Sequence, residues 1–266
     1  MGIITRDTLI ESVRTILDEK LPVCVGVDVG QIRDPSALCV SEVSQLDTGK
    51  LRFGPSPQPA RLDIKSGLWI PAEDIYPVMV TEYTVRHIKR LPLGTSYPDV
   101  ALHIADMLCS PLFAGRDVRV LIDVTGVGRP VYDDLDKEIR LRKYGIWRPD
   151  GTFQPGSKGE MAHLMLKPIT FSHGEKYNRS TGVLAKAFLV SRLQSLLQGG
   201  HVHAPNTKEV LAMLEELKVY EIKVSDDGKD TYGAVIGKHD DLATALGLSV
   251  LENPFDDRVT YSQRVY

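Results

Sequence analysis

The sequence predicts an α/β fold with a central mixed β-sheet flanked by helices, and three observations carry that reading. Short apolar runs at 21–27, 36–43 and 118–122 have the composition of strands. From residue 97 onward, such runs alternate with segments whose apolar residues recur every three to four positions, the spacing of a helix. The first two runs are joined through the short polar segment GQIRDP, which makes an antiparallel hairpin, whereas strand and helix in alternation pair in parallel.

Taken in order, residues 5–19 carry a helical pattern through Leu9, Val13 and Ile16, so residues 1–20 are expected to form a helical extension. The main domain is expected over 21–252. Its first strand ends at Asp28, followed by Gly30, and its second covers 36–43. Residues 44–75 contain Pro55, Pro57, Pro59 and Pro71 and read as an irregular insertion within the domain. A third strand is expected over 78–88, a helix over 97–108, and a fourth strand ending at Asp123. The turn TGVGRP then opens a helix with Val131, Leu135 and Ile139, and Pro130 suits its first turn. A strand over 167–171 precedes a helix over 180–198 with a stripe of Leu189, Leu193, Leu196 and Leu197, stopped by Gly199-Gly200. A short helix over 207–217, two strand-like stretches at 218–224 and 231–236, and a last helix starting near Asp240 complete the domain; 253–266 reads as a polar tail.

Composition narrows the function classes. The net charge of −3 gives no global basic signature, which argues against a protein held on nucleic acid by bulk charge alone. Cys24, Cys39 and Cys109 form no CxxC pair and read as small buried hydrophobes in a reducing compartment. No apolar run approaches the length of a membrane span, and the start lacks a signal-peptide core, so the expected location is the cytoplasm.

Three carboxylate positions fall at the ends of apolar runs: Asp28 in VCVGVDVG, Asp123 in VRVLIDVTGVG, and the pair Asp240-Asp241 in GKHDDLATALGL. An ionised carboxylate beside a buried strand is costly unless neutralised, and several brought together repel one another. Two divalent ions remove that repulsion, activate a water and stabilise the leaving oxygen of a phosphodiester. Magnesium takes oxygen ligands and keeps several waters, so a few carboxylates suffice. Each residue also has a plainer role open to it. Asp28 alone can end a strand and cap a turn. Asp123 with its glycines can belong to a dinucleotide-binding turn, although GVGRPV lacks the full GxGxxG. Asp240 or Asp241 can serve only as a helix N-cap.

In these segments the chain resembles the nuclease domain of viral (bacteriophage) terminase large subunits, within the ribonuclease H-like superfamily. GVDVGQIRDPSALCV is similar to their first motif, VLIDVTGVGRPVYDDL to their second and HDDLATALGLSVL to their third. SRLQSLLQGGHVHAP followed by LEELKVYE is similar to the helix, short strand and Glu-Leu element ahead of that last motif. The resemblance implies a ribonuclease H-like fold and a metal-dependent endonuclease that hydrolyses double-stranded DNA with two divalent ions, Mg²⁺ or Mn²⁺. It implies that Asp28 bridges the ions, that Asp123 holds the one near the attacking water, and that Asp240 or Asp241 supplies the third acid. His239 and Asp34 match positions beside such a centre. The family's packaging ATPase carries a GxxxxGK[ST] phosphate loop, which this sequence lacks, so a nuclease acting without its own motor is expected. Besides double-stranded DNA, the partner this implies is a separate packaging ATPase, a small terminase subunit or a portal, with no membrane.

Phosphate contacts are expected from Arg86, His87, Lys89 and Arg90 in TVRHIKRLP and from Arg129. Arg140, Arg142, Lys143 and Arg148 form a second basic cluster, with Lys176 and Lys186 as lesser candidates. Other readings are a Holliday-junction-resolvase-like nuclease acting as a dimer, a sugar-kinase or actin-like ATPase (which needs two such domains), and a non-catalytic DNA-clamp subunit of a packaging motor.

Overall fold

The computed structural model describes residues 21–30, 34–55, 61–65, 68–70, 73–144, 146–147, 153–154, 162–218, 220–224, 230–234 and 240–256. The helix expected over 5–19, His239, Arg148 and the tail beyond residue 256 lie outside them. In chain order the strands are β1 (Val23–Asp28), β2 (Ala37–Pro55), β3 (Arg61–Asp63), β4 (Leu68–Ile70), β5 (Glu73–Arg90), β6 (Asp117–Asp123), β7 (Ile146–Trp147), β8 (Phe153–Gln154), β9 (His163–Ser172), β10 (Tyr177–Asn178), β11 (Val183–Ala185), β12 (Val202–His203), β13 (Tyr220–Val224) and β14 (Asp230–Ala234). The helices are α1 (Tyr97–Leu108), α2 (Gly128–Tyr144), α3 (Lys186–Gln198), α4 (Lys208–Lys218) and α5 (Asp241–Ser249).

The largest sheet runs in the order β10-β11-β9-β6-β1-β2-β5-β12. β1 pairs antiparallel with β2 and parallel with β6, and β6 pairs parallel with β9. The sheet is therefore mixed, as the sequence predicts. Its central strands are apolar on both faces because both are covered. Val25, Val27, Val120 and Ile122 pack on one side against Ile104 and Leu108 of α1 and Leu135 of α2. Leu121 and Ile169 pack on the other against Leu189 of α3 and Leu248 of α5. Helices flank the sheet on two sides.

The described residues form two compact units: those up to Val43 with those from Tyr83 onward, and Ser44–Glu82. The second holds the later part of β2, the β3–β4 pair and the first part of β5. The described residues of 44–75 are thus largely strand, not irregular, which corrects the sequence reading. Leu46, Leu51 and Phe53 are all exposed there. A strand with no buried face has no in–out alternation for its sequence to show. The helix expected over 180–198 also begins later, at Lys186, because β10 and β11 form a short antiparallel pair ahead of it.

At the far end of α5, Glu252 is almost wholly enclosed. It accepts hydrogen bonds from Lys167 and the Tyr177 hydroxyl, and pairs with Arg119 at 3.4 Å and Arg179 at 3.3 Å. Burial works against its charge, but Lys167, Tyr177 and Arg179 outweigh burial and hold the carboxyl below the usual range. Glu252→Gln leaves several enclosed cations with less compensation and is expected to cost about 2 kcal/mol, read by urea unfolding at pH 7. An unchanged midpoint would show that the cations reach water instead.

Candidate metal centre

The register of β1 and β6 sets Val27 level with Ile122. The next residue on each strand is an aspartate, so Asp28 and Asp123 end neighbouring parallel strands at the same level. Side chains alternate along a strand, and Val27 and Ile122 face α1 and α2. Asp28 and Asp123 therefore share the opposite face with Cys24, Gly26 and Leu121, which α5 covers.

α5 lies directly on β1. A Cβ on Gly26 would stand 2.1 Å from the Ala245 carbonyl oxygen and 2.5 Å from the Ser249 nitrogen. Every residue of α5 is buried. Two residues beyond Gly26 is Asp28, about 7 Å along the strand, and four before Ala245 is Asp241, about 6 Å along the helix. The helix N-terminus thereby arrives at the strand ends, with Asp240 as its N-cap residue and Asp241 as its first.

The electrostatics report this convergence. The Asp28 carboxyl is held well above the usual range by burial first, then by the charges of Asp123, Asp241 and Asp240, with Lys186 pulling the other way. Asp123 is raised too, by burial and by Asp240, against hydrogen bonds from Thr125 and the charge of Lys186. The Thr125 amide donates to Asp123 Oδ1 at 2.8 Å, while its hydroxyl accepts from the Phe171 amide at 2.8 Å. Thr125 thus ties the Asp123 carboxylate to β9. The glycines that follow serve geometry: Gly126 has a φ of 71°, and a Cβ on Gly128 would lie 1.9 Å from the Asp123 carbonyl oxygen.

The two aspartates at the helix start face different cations. Lys186 Nζ, from the first turn of α3, is 3.1 Å from Asp240 Oδ2. Arg90 Nε, from the end of β5, is 3.4 Å from Asp241 Oδ2, and the same guanidinium pairs with Glu216 of α4. As the side chains stand, no group of three or more His, Cys, Asp or Glu among the described residues is arranged to hold a metal ion. The donor set nevertheless fits divalent ions in kind and charge. It is oxygen only, it comes from three separate elements, and burial first, with the neighbouring carboxylates adding to it, raises Asp28 and Asp123 in a way that added positive charge would relieve.

No protein-family model and no curated protein matches the chain. Among solved structures it is similar to the large terminase nuclease from thermophilic phage G20c, at 18% identity over 87% of this chain and 82% of that one, with a TM-score of 0.49. The form of that nuclease with bound magnesium matches at 18% identity over 87% and 81%, TM-score 0.49. The large terminase nuclease domain of Thermus phage P74-26 matches at 17% identity over 86% and 78%, TM-score 0.45. At these TM-scores the likeness carries no argument, and the roles of residues here rest on this chain's own geometry.

The other expected site residues are scattered. Asp34 is exposed on the loop before β2. Arg86 Nε donates to the buried Glu42 at 2.8 Å, and Lys89 is half-buried near the end of β5. Arg129 is exposed at the start of α2, on the turn that leaves Asp123, and pairs with Asp133 at 3.1 Å. Arg140 and Arg142 sit near the other end of that helix, paired with Asp136 at 2.8 Å and Asp106 at 2.6 Å. No helix among the described residues is long and apolar enough to cross a membrane.

Proposed function

We propose that the chain is an endonuclease that hydrolyses double-stranded DNA with two divalent ions, Mg²⁺ or Mn²⁺, held by Asp28, Asp123 and the Asp240–Asp241 pair. The observation that carries this is the gathering of carboxylates from β1, β6 and α5 at one end of the sheet, where burial first and then the charges of Asp123, Asp241 and Asp240 hold Asp28 well above its ordinary range. A structural cluster of that kind would be a liability; a cation site makes it useful. Bound ions would supply a Lewis acid for the phosphodiester and a water made nucleophilic at neutral pH.

The chain's own groups have separable tasks in this reading. Asp28 and Asp123 offer oxygens from adjacent strand ends, and Thr125 orients Asp123. Asp240 and Asp241 close the cluster from the helix side, where the positive end of the α5 dipole offsets part of their charge. Lys186, lying over the Phe171 ring at 5.7 Å, places an ammonium beside the carboxylates, where a non-bridging phosphate oxygen would meet it. Arg129, exposed next to Asp123, is suited to a neighbouring phosphate without reading base sequence.

Supercoiled plasmid incubated with EDTA, Mg²⁺ or Mn²⁺ tests this. Nicking and linearisation are expected with either metal, absent with EDTA, and lost in Asp123→Ala. No cleavage by folded wild-type protein with any metal, or full activity in Asp123→Ala, would overturn the reading.

A further inference from the structure

We propose that Glu216 caps α5 in place of Asp240, and that this exchange releases the Asp240 carboxylate to the acid cluster. Asp240 occupies the N-cap position, where its backbone oxygen accepts from the Thr244 amide at 2.8 Å. An aspartate there ordinarily turns its side chain back onto the amide of the second or third helical residue. Here it makes no such bond; its carboxylate meets Lys186 at 3.1 Å instead. The third helical residue is Ala243, and its amide donates to Glu216 Oε2 at 2.9 Å. Glu216 reaches it from α4 and is itself buried, its charge balanced by Arg90.

The arrangement solves a conflict built into two acids at a helix start. A carboxylate turned back onto its own helix amides has less of its acceptor capacity left for a cluster on the strand ends. A glutamate supplied from a neighbouring helix does the first task and leaves Asp240 for the second. Arg90 links the parts, because it pairs with Glu216 and also reaches Asp241 at 3.4 Å. Without Glu216, Asp240, as the N-cap aspartate, holds the position from which a side chain ordinarily accepts from the third helical amide, and turning to it would draw the carboxylate out of the cluster. Glu216 is thus a positioning residue. Its benefit to catalysis rests on the nuclease reading above, but the exchange of caps does not.

Thermal unfolding in EDTA tests the exchange without metal or activity. Asp240→Ala alone is expected to leave Tm unlowered, since Asp240 is not the cap. In a Glu216→Ala background the same substitution is expected to lower Tm by about 2–4 °C, the loss of a cap in a domain of this size. In Glu216→Gln, which keeps an acceptor for the Ala243 amide, Asp240→Ala is again expected to cost nothing. The Gln arm and the single mutant keep the test decisive if Glu216→Ala does not fold. A Tm loss from Asp240→Ala alone, or in the Gln background, would overturn the proposal, as would equal effects in the wild-type and Glu216→Ala backgrounds. Calorimetric titration with Mn²⁺ then reads the consequence: Glu216→Ala is expected to bind about tenfold more weakly than wild type. An unlowered affinity would overturn the positioning role. If wild type binds no Mn²⁺ while the stability cycle behaves as expected, the cap exchange stands and the metal reading fails.

Discussion

Asp28→Asn is expected to make the metal-free protein more stable while reducing DNA cleavage by a factor of about 10³ or more. The two effects have one cause. Asp28 sits among three other carboxylates, and burial together with Asp123, Asp241 and Asp240 holds its carboxyl well above the usual range. Between its unfolded and folded pKa values the native state binds more protons than the unfolded state, so the contribution of this group to stability falls as pH rises. Its full stability is present below the unfolded value and is lost progressively up to the raised folded one. Asparagine removes that penalty but cannot supply an anionic ligand. In EDTA, the mutant Tm is therefore expected to match wild type near pH 4 and to exceed it by about 3 °C or more at pH 8, the shift of about 1 kcal/mol in a domain of this size. Mn²⁺ is expected to raise the wild-type Tm and leave the mutant's little changed. Parallel pH profiles for the two proteins would show that the carboxylates do not press on one another, and the electrostatic basis of the site would fall with them.

The parts of the fold that the sequence displays are those with a buried face. Val131, Leu135 and Ile139 repeat along a helix because one side of α2 meets the sheet, and all are buried. β1 and β6 show as apolar runs because both faces are covered, and their terminal aspartates stand out against those runs. The Ser44–Glu82 unit hides its strands for the opposite reason, since Leu46, Leu51 and Phe53 face solvent and impose no period. Glu216 was invisible for a different reason. In LEELK a glutamate on a helix looks like a solvated charge, and only the arrival of α5 turns it into a buried cap. Arg86 and Arg90 read as a basic patch, yet each reaches a buried carboxylate, Glu42 or Glu216. Lys186 lay inside a longer expected helix; with α3 beginning only after the β10–β11 pair, it stands in the first turn, and its ammonium meets Asp240. Partners contributed by distant elements leave no local signature.

Gly26→Ala is expected to damage both stability and cleavage through a single methyl group far too small to touch DNA. The added carbon would lie 2.1 Å from the Ala245 carbonyl oxygen and 2.8 Å from the Leu248 Cβ. Backbone atoms of a helix cannot rotate aside as a side chain can, so α5 must lift or slide. Overpacking of this kind costs about 3 kcal/mol or more where the backbone itself is the obstacle. Sliding also carries Asp240 and Asp241 away from Asp28 and Asp123, and about 1 Å of misplacement is enough to reduce a rate by ~100-fold. The expected result is a lower urea midpoint together with weaker Mn²⁺ binding and slower plasmid nicking, measured under conditions where the mutant remains folded. Loss of stability with undiminished metal binding would mean that α5 shifts without moving its N-terminus. The strand ends would then hold the ions with little help from Asp240 and Asp241, and the helix would be a structural cover more than a source of ligands.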